Sequence, residues 1–338
     1  MVKHYFLGRA TGDGFSTHIH DLIANDGYFT YIIKGGPGTG KSSLMKQVAK
    51  NMTDGEIFHC SSDPDALDGV LISDRKILIV DGTAPHVVEP LFPGVRQKIV
   101  NLGECWEEKL LKDNAREVVE ATLTNKAHHA RVRRCIRAME ALYQDGIHLQ
   151  EECLIKDKAE RFVRSEVARL PKRDKQGCLE FRQMSAITPK GLVELDSAIG
   201  LERAVIEDDF GGVRDAILKS IAREAVAKGY HCIISENPMC GDTVYNCLVI
   251  TEAGVAYLSS GECSRKVRAD RFLEKNMLKA RKGRLAFDLG TAKELISESV
   301  NGLMLAKESH DLLESYYIRA MDFDKVTEVR QKILSEIA

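Results

Sequence analysis

The chain has 338 residues, of which 44% are hydrophobic and 29% charged, and its formal net charge is −2. This length suits two domains with buried cores, and the near-zero charge argues against general binding of nucleic acid or an anionic membrane. No apolar run has the length of a secretory signal or a membrane span, and the nine scattered cysteines form no C-x-x-C pair. We therefore expect a cytoplasmic protein with free thiols.

A glycine-rich segment lies between a predicted buried strand at 31–33 and a predicted amphipathic helix at 43–50. It fits the phosphate-binding (Walker A) pattern G-x-x-x-x-G-K-[ST] in full. In such a loop, backbone N–H groups converge on phosphate oxygens at the positive end of a helix. We expect Lys41 to reach the β- and γ-phosphates and Ser42 to ligate Mg²⁺. The predicted nucleotide-binding residues are Gly35, Gly36, Pro37, Gly38, Thr39, Gly40, Lys41, Ser42 and Ser43.

The next two strands are predicted at 56–60 and 76–80, with a polar stretch at 61–69 between them. Short apolar strands that alternate with helices indicate an α/β fold with a parallel sheet in three layers, covered by helices on both faces. Asp81 ends the later strand, where a Walker B-type aspartate would hold Mg²⁺ opposite the Ser42 hydroxyl. The alternative is a strand-end aspartate that caps a turn. Because Asp81 occurs together with the glycine-rich loop, we favour its interpretation as a metal ligand.

Several polar residues are expected near the predicted phosphate site. Gly82 follows Asp81 in place of the glutamate that often activates water in ATP-hydrolysing motors, so a base would have to come from elsewhere. The candidates at the carboxyl edge of the sheet, where ligands bind in α/β folds, are Asp63, Asp65, Asp68, His86 and Glu89. Each one alone is better explained as a solvated loop residue. We take Lys41, Asp81, Asp63 and Glu89 as the predicted catalytic residues.

Long charged helices are predicted from about 104 to 170, with Gly146 expected to break one of them. Residues 171–182 are predicted to be a linker. The predicted domains are thus a P-loop NTPase domain at 1–170, whose helical appendage starts at about 104, and a degenerate P-loop-like domain at 183–338, whose helical tail starts at about 264.

The second half repeats the plan of the first in the same order. The matching segments are 31–33 with 204–206, 43–49 with 216–222, 58–60 with 230–232, 77–80 with 255–258, and an Ile-Arg-Ala-Met run at 136–139 with one at 318–321. Five matches in register indicate a tandem duplication.

The two copies differ where a nucleotide would bind. Alignment on the helix places Arg214 opposite Lys41 and Asp215 opposite Ser42, and Ser259 takes the position of Asp81. Three adjacent carboxylates at 207–209 would repel a triphosphate. We therefore expect one working site, in the first half.

ATP is favoured over GTP because Asp81 is followed by no Asp-x-x-Gly pattern and residues 125–128 lack the aspartate of a guanine-reading tetrad. Three arginines of the second half are placed to reach the first-half site, although a solvated helical face explains them more simply: Arg265, Arg268 and Arg271.

The chain resembles a family of uncharacterised bacterial tandem P-loop ATPase-like proteins, which are loosely described as nucleotide kinases. The resemblance is carried by the loop at 35–42, by His-Cys-Ser-Ser-Asp-Pro at 59–64, by Asp-Gly-Thr-Ala-Pro-His at 81–86 and by the segment at 185–191. It implies two P-loop folds, with ATP chemistry at Lys41, Ser42 and Asp81. Relatives often keep a phosphate loop in the second half as well, and this chain does not.

Three functions remain open from the sequence. An ATPase that uses ATP and Mg²⁺ to drive a conformational change is favoured, because phosphoryl transfer is the usual use of this loop. The alternatives are a small-molecule or nucleotide kinase and a non-catalytic ATP-sensing scaffold. The helical appendages are the expected contact surface for a protein partner or for oligomerisation.

Overall fold

A computed structural model describes residues 1–24, 27–241 and 244–337. The first half contains one six-stranded sheet with the strand order β1-β5-β6-β7-β4-β8 and a small hairpin of β2 and β3. Its strands are β1 (Val2–Phe6), β2 (Gly8–Thr11), β3 (Gly14–Thr17), β4 (Phe29–Lys34), β5 (Gly55–His59), β6 (Leu67–Ile72), β7 (Ile77–Asp81) and β8 (Gln97–Asn101). Its helices are α1 (Ile19–Ala24), α2 (Lys41–Ala49), α3 (Glu108–Asp113), α4 (Ala115–Cys153) and α5 (Lys156–Ala168).

The second half contains a second six-stranded sheet and a second hairpin. Its strands are β9 (Cys178–Phe181), β10 (Ser185–Thr188), β11 (Gly191–Glu194), β12 (Glu202–Glu207), β13 (His231–Glu236), β14 (Tyr245–Ile250), β15 (Val255–Leu258) and β16 (Arg265–Arg268). Its helices are α6 (Gly212–Ala227), α7 (Lys275–Ala280), α8 (Lys282–Ala320) and α9 (Phe323–Ile337).

The two sheets have the same strand order. Taken from the β9 edge, the second sheet runs β9-β13-β14-β15-β12-β16, which matches the first sheet strand for strand. Three of the five segment pairs found in the sequence are therefore equivalent in space, as a duplicated α/β unit requires. The pair 58–60 with 230–232 lies on equivalent strands but out of register, because the first segment is at the end of β5 and the second is at the start of β13. The fifth pair is wrong: the Ile-Arg-Ala-Met run lies in the middle of α4, but in the second half it starts in the last turn of α8.

Each sheet is mixed, so the prediction of a parallel sheet is wrong. Strand β6 runs antiparallel to β5 and β7, and β14 runs antiparallel to β13 and β15. We missed β6 because the segment 61–69 looked polar as a whole. The chain turns back through residues 73–76 into β7, and this tight turn makes the antiparallel pair.

The predicted three layers are also wrong, because the two sheets pack against each other. One hydrophobic cluster combines inward-facing residues of both sheets, among them Ile32, Val80, Ile233 and Val249. Their neighbours along each strand point outward. The outer face of the first sheet packs on α2 and α9, and that of the second on α5 and α6. The result is an α/β/β/α arrangement of four layers.

The helical appendages are exchanged between the halves. Helix α5 belongs to the first half by sequence but packs on the second sheet, and α9 follows the second sheet but packs on the first. Helices α4 and α8 lie along each other and join the exchanged segments. The domain boundaries at 170 and 183 remain predictions.

Helix α4 runs without interruption to Cys153, so the expected break at Gly146 is wrong. Gly146 allows a close contact instead: a Cβ there would lie 2.1 Å from a ring carbon of Phe210. All nine cysteines are free thiols. In the described part of the chain, no helix is both long and apolar enough to cross a membrane.

Candidate functional site

The glycine-rich loop connects the end of β4 to the first turn of α2. Gly38 and Gly40 have φ angles of 66° and 88°, a left-handed conformation that glycine adopts without strain. Lys41 is the first residue of α2, and its Nζ donates to the carbonyl oxygens of Gly35 at 2.9 Å and Gly36 at 2.7 Å. The lysine therefore folds back over the loop that precedes it.

Asp81 faces this lysine from the neighbouring strand. It ends β7, which pairs directly with β4. Its Oδ1 accepts hydrogen bonds from the backbone N–H and the hydroxyl of Thr83, at 2.9 and 2.6 Å, and its Oδ2 lies 3.7 Å from Lys41 Nζ. One carboxylate oxygen thus caps the turn after β7, and the other points to the loop.

The remaining loop residues differ in exposure. Thr39 is buried and its hydroxyl donates to the carbonyl oxygen of Gly36 at 3.0 Å, whereas Ser43 is exposed. The Ser42 hydroxyl accepts a hydrogen bond from the N–H of Leu67 at 3.0 Å, which ties the first turn of α2 to the start of β6.

Two further buried polar residues, Asp68 and His86, lie beside Asp81. Asp68 belongs to β6, not to a loop as predicted, and its side chain and that of His86 are each 6% exposed. The ligand atoms of Asp68, Asp81 and His86 all lie within 4.8 Å of one another. Burial raises the pKa of the Asp68 carboxyl, and the charge of Asp81 adds to this rise.

Asp68 and His86 are both buried, although the sequence pattern favours a solvated loop position for each. The available signal was position: Asp68 directly follows Leu67 and precedes the apolar run 70–72, so it stands inside a strand pattern.

Asp63 and Glu89 are held by lysines other than Lys41. Asp63 Oδ2 lies 3.3 Å from Lys307 Nζ of α8. Glu89 is 69% exposed and its Oε1 lies 2.7 Å from Lys34 Nζ, which also donates to the carbonyl oxygens of Gly82 and Val88. The structure brings Lys41 and Asp81 together, and places Asp63 and Glu89 in other ion pairs.

Helix α8 of the second half covers the loop. Glu314 Oε1 accepts a hydrogen bond from the N–H of Gly38 at 3.0 Å. The rings of Trp106 and Tyr317, with centroids 5.5 Å apart, lie over Gly36. A carboxylate therefore uses one of the N–H groups that a phosphate would use.

An open cleft of about 680 Å³ lies beside the loop on its Gly35 side. Its lining includes Lys34, Gly35, Gly82, Thr83, Asn101 and Trp106. The cleft is bordered by the ends of β4, β7 and β8, the edge where α/β folds bind ligands.

A hydrogen bond that both halves share identifies the equivalent positions in the second half. The carboxylate of Asp215 accepts a hydrogen bond from the N–H of Tyr245, the first residue of β14, at 2.7 Å. Ser42 makes the same contact to the first residue of β6. Asp215 therefore corresponds to Ser42, and the preceding Arg214 corresponds to Lys41.

The second-half counterpart of the site is closed by its own side chains. The Arg214 guanidinium is buried and donates to the carbonyl oxygens of Ile206 and Asp208 and, at 2.8 Å, to Asn246 Oδ1. Asn246 in turn donates to the Ser259 hydroxyl at 2.9 Å. Asn246 and Ser259 lie at the positions of Asp68 and Asp81, so the second half has two uncharged side chains in place of the two carboxylates.

The connections 35–40 and 208–213 have equal length, but α6 starts at Gly212, two residues before Arg214, whereas α2 starts at Lys41 itself. Asp208 Oδ2 accepts the N–H of Arg214 at 2.9 Å, so a carboxylate of the loop itself binds the start of the helix. The three arginines considered as charge stabilisers are engaged elsewhere, Arg265 with Glu166, Arg268 with Asp270 and Arg271 on the ring of Phe272.

Comparison of the chain with models of known protein families, with curated proteins and with solved structures finds no match. The resemblance to tandem P-loop ATPase-like proteins remains a prediction, and the function has to be argued from the geometry of the site.

Proposed function

We propose that this chain is a P-loop NTPase-type protein that binds ATP with Mg²⁺ at the first-half loop and hydrolyses it. The observation that carries the proposal is the pairing of Lys41 with Asp81 at 3.7 Å, across two adjacent strand ends and beside a glycine-rich loop that opens a helix. A lysine, a metal-side carboxylate and converging N–H groups are the parts that phosphoryl transfer requires.

Each residue has a definite part in this proposal. The N–H groups of the loop and the positive end of α2 hold the phosphates. Lys41 exchanges its bonds to the carbonyl oxygens of Gly35 and Gly36 for the β- and γ-phosphate oxygens. Ser42 and Asp81 hold the metal ion, which neutralises charge that develops in the transition state. ATP is preferred to GTP on the sequence pattern alone.

The second half contributes no second nucleotide site in this proposal. Its helix begins two residues before Arg214, the start of that helix is bound by Asp208, and its cation is committed to Asn246. Its contribution to the first site is Glu314, which reaches the loop from α8.

A phosphotransferase is the second candidate, favoured by the cleft of about 680 Å³ next to Gly82 and Thr83. A cleft of this volume has room for a small acceptor molecule beside the phosphate loop.

The test is the fate of ATP with the purified full-length chain and Mg²⁺. We expect ADP and free phosphate in equal amounts, and neither product from Lys41→Ala. ADP that forms only after a small-molecule extract is added, without free phosphate, would favour the kinase instead. ATP binding without any product would contradict hydrolysis and leave an ATP-sensing scaffold.

A further inference from the structure

Three potential metal ligands from separate segments meet next to the phosphate loop. Asp68 comes from β6, Asp81 from the end of β7, and His86 from the connection between β7 and β8. All three residues are buried, and one ligand atom of each lies within 4.8 Å of the others. Metal–ligand bonds of about 2.0–2.2 Å hold neighbouring ligands about 3–4 Å apart, so a slight contraction around an ion completes the geometry.

Three polar atoms of this cluster, all on Asp68 and His86, have no hydrogen-bond partner in the described part of the chain. Among the described residues, neither ring nitrogen of His86 has a hydrogen-bond partner, and the same holds for Asp68 Oδ2. Buried polar atoms without partners are rare and costly, because they lose their hydrogen bonds to water on folding. An imidazole and a carboxylate oxygen left open side by side therefore point to a bound ligand.

We propose that Asp68, Asp81 and His86 form a site for one divalent first-row transition-metal ion, which the chain binds without nucleotide. The proposal goes beyond the proposed function and rests on it only in that Asp81 serves as a metal ligand in both. A mixed set of two carboxylates and one imidazole suits Mn²⁺, Fe²⁺ or Zn²⁺ better than Mg²⁺, which prefers oxygen ligands and keeps several waters.

The second half shows what the same fold does without such an ion. There the equivalents of Asp68 and Asp81 are Asn246 and Ser259, which hydrogen-bond to each other at 2.9 Å. The segment that carries His86 is also shorter: 82–96 in the first half corresponds to 260–264 in the second, because Ser259 is the equivalent of Asp81. All three ligands are thus missing together from the half whose phosphate loop is closed.

Lys41 places the site in contact with nucleotide chemistry. Its Nζ lies 3.7 Å from Asp81 Oδ2, so an ion at the cluster repels the lysine and favours its move from the loop carbonyls toward phosphate. Removal of the lysine charge then raises the affinity for the metal ion and lowers the affinity for the nucleotide. The two binding events can therefore be separated experimentally.

The experiment is titration of the chelator-treated, nucleotide-free full-length chain with Mn²⁺, followed by electron paramagnetic resonance. We expect one bound ion per chain, pulsed spectra that show coupling to an imidazole nitrogen, and retention of the ion against a roughly hundredfold excess of Mg²⁺. Asp68→Asn and His86→Gln should each weaken binding by about 100-fold or more. His86→Gln should also abolish the nitrogen coupling.

Two matched variants control for folding and for the proposed function. Asp74→Asn changes an exposed carboxylate six residues after Asp68 and should bind Mn²⁺ like the wild type. Lys41→Ala should bind Mn²⁺ at least as tightly as the wild type while it loses ATP. Asn246 occupies the position of Asp68 in the second half, so the fold accepts asparagine there.

Three results would overturn the proposal. The first is no Mn²⁺ binding by the wild type. The second is unchanged binding in Asp68→Asn and His86→Gln. The third is an ion without nitrogen coupling that is lost only in Asp81→Asn, which describes a simple Mg²⁺ site and leaves the proposed function intact. Conversely, Mn²⁺ binding in a chain that never binds ATP would contradict the proposed function alone.

Discussion

Single side chains decide which of the two equivalent sites is open. Lysine and arginine are both cations, but the Arg214 guanidinium has enough donors to bind two carbonyl oxygens and Asn246 at once. Lys41 contacts loop carbonyl oxygens and the oxygen of Asp81, and under the proposed function it exchanges these contacts for phosphate oxygens. The arginine is held by buried acceptors, whereas the lysine is not.

Asp81→Asn should reduce Mg²⁺-dependent ATP turnover by several orders of magnitude, about 10²–10⁴-fold, since it removes a charge from the metal side of the site. The amide oxygen still accepts the hydrogen bonds of Thr83, so the turn is kept. Steady-state turnover is the measurement, with Asp311→Asn, a change at an exposed carboxylate, as the control. Full activity in Asp81→Asn would mean that the aspartate serves the turn alone.

The close packing around Gly82 explains why no larger residue, such as a glutamate, follows the strand-end aspartate. A Cβ on Gly82 would lie 2.5 Å from Cγ2 of Ile32, in the buried layer between the sheets. Gly82→Ala should therefore lower the free energy of unfolding by about 1–3 kcal/mol. Chemical denaturation measures this, with Gly290→Ala as the control because nothing lies within 4 Å of a Cβ there. Equal stability of both variants would show that the layer yields easily.

At the scale of elements, α8 lies against the loop. The Glu314 carboxylate occupies the N–H of Gly38 and competes with any anion for it. Glu314→Gln should tighten ATP binding a few-fold, about fivefold at most, because Glu314 is 38% exposed and its bond is weakened by water. Calorimetric titration tests this.

The control for Glu314→Gln is Asp311→Asn, which neutralises a carboxylate one turn earlier that pairs with Lys307. Its ATP affinity should stay within about twofold of the wild type, because exposed ion pairs contribute little. Weaker ATP binding in Glu314→Gln would show that the carboxylate supports the loop and does not compete with phosphate.

Local patterns predicted some elements well and missed others for physical reasons. The loop, β4, α2 and β7 follow from short-range signals, namely an apolar run, a glycine motif and a helical period. Strand β6 was missed because Asp68 is buried by tertiary contacts, which override its low strand propensity. The expected helix break at Gly146 was wrong because the glycine makes room for the ring of Phe210, which is far along the chain.

At the scale of the molecule, the two halves are bound through polar contacts as well as the shared core. His18 Nε2 lies 3.3 Å from Glu236 Oε1 of the second half, and Arg9 lies 3.3 Å from the same carboxylate. The hydrogen bond to Glu236 raises the pKa of His18 above its usual 6.5, and Asp21 adds to the rise. The charged imidazole thus stabilises the contact between the halves.

This shift has a defined sign. Because the folded-state pKa of His18 is raised, its stabilisation is complete below pH 6.5 and disappears as the pH rises through the folded-state value. His18→Gln should therefore cost stability at pH 5.5, by less than about 1 kcal/mol for a partly exposed group, and almost nothing at pH 9. Denaturation at both pH values measures it, and a cost that is equal at the two would contradict the assignment.

The packing of the halves was beyond the reach of sequence patterns. Strand periodicity marks two buried faces, but it does not say whether a helix or another sheet covers each face. The exchange of α5 and α9 is likewise a long-range feature, since the apolar face of a helix does not identify the sheet on which it packs. The difference between Lys41 and Arg214, in contrast, is visible in the sequence, and the expectation that only the first loop binds a nucleotide stays a prediction.

The most direct test of the one-site account is the stoichiometry and affinity of ATP binding by calorimetry with Mg²⁺ present. We predict one ATP per wild-type chain, no binding by Lys41→Ala, and nearly unchanged binding by Arg214→Ala, with Arg214→Lys as a milder variant in case the buried cavity impairs folding. Equal loss of ATP binding in the Lys41 and Arg214 variants, or two ATP molecules per wild-type chain, would contradict the account.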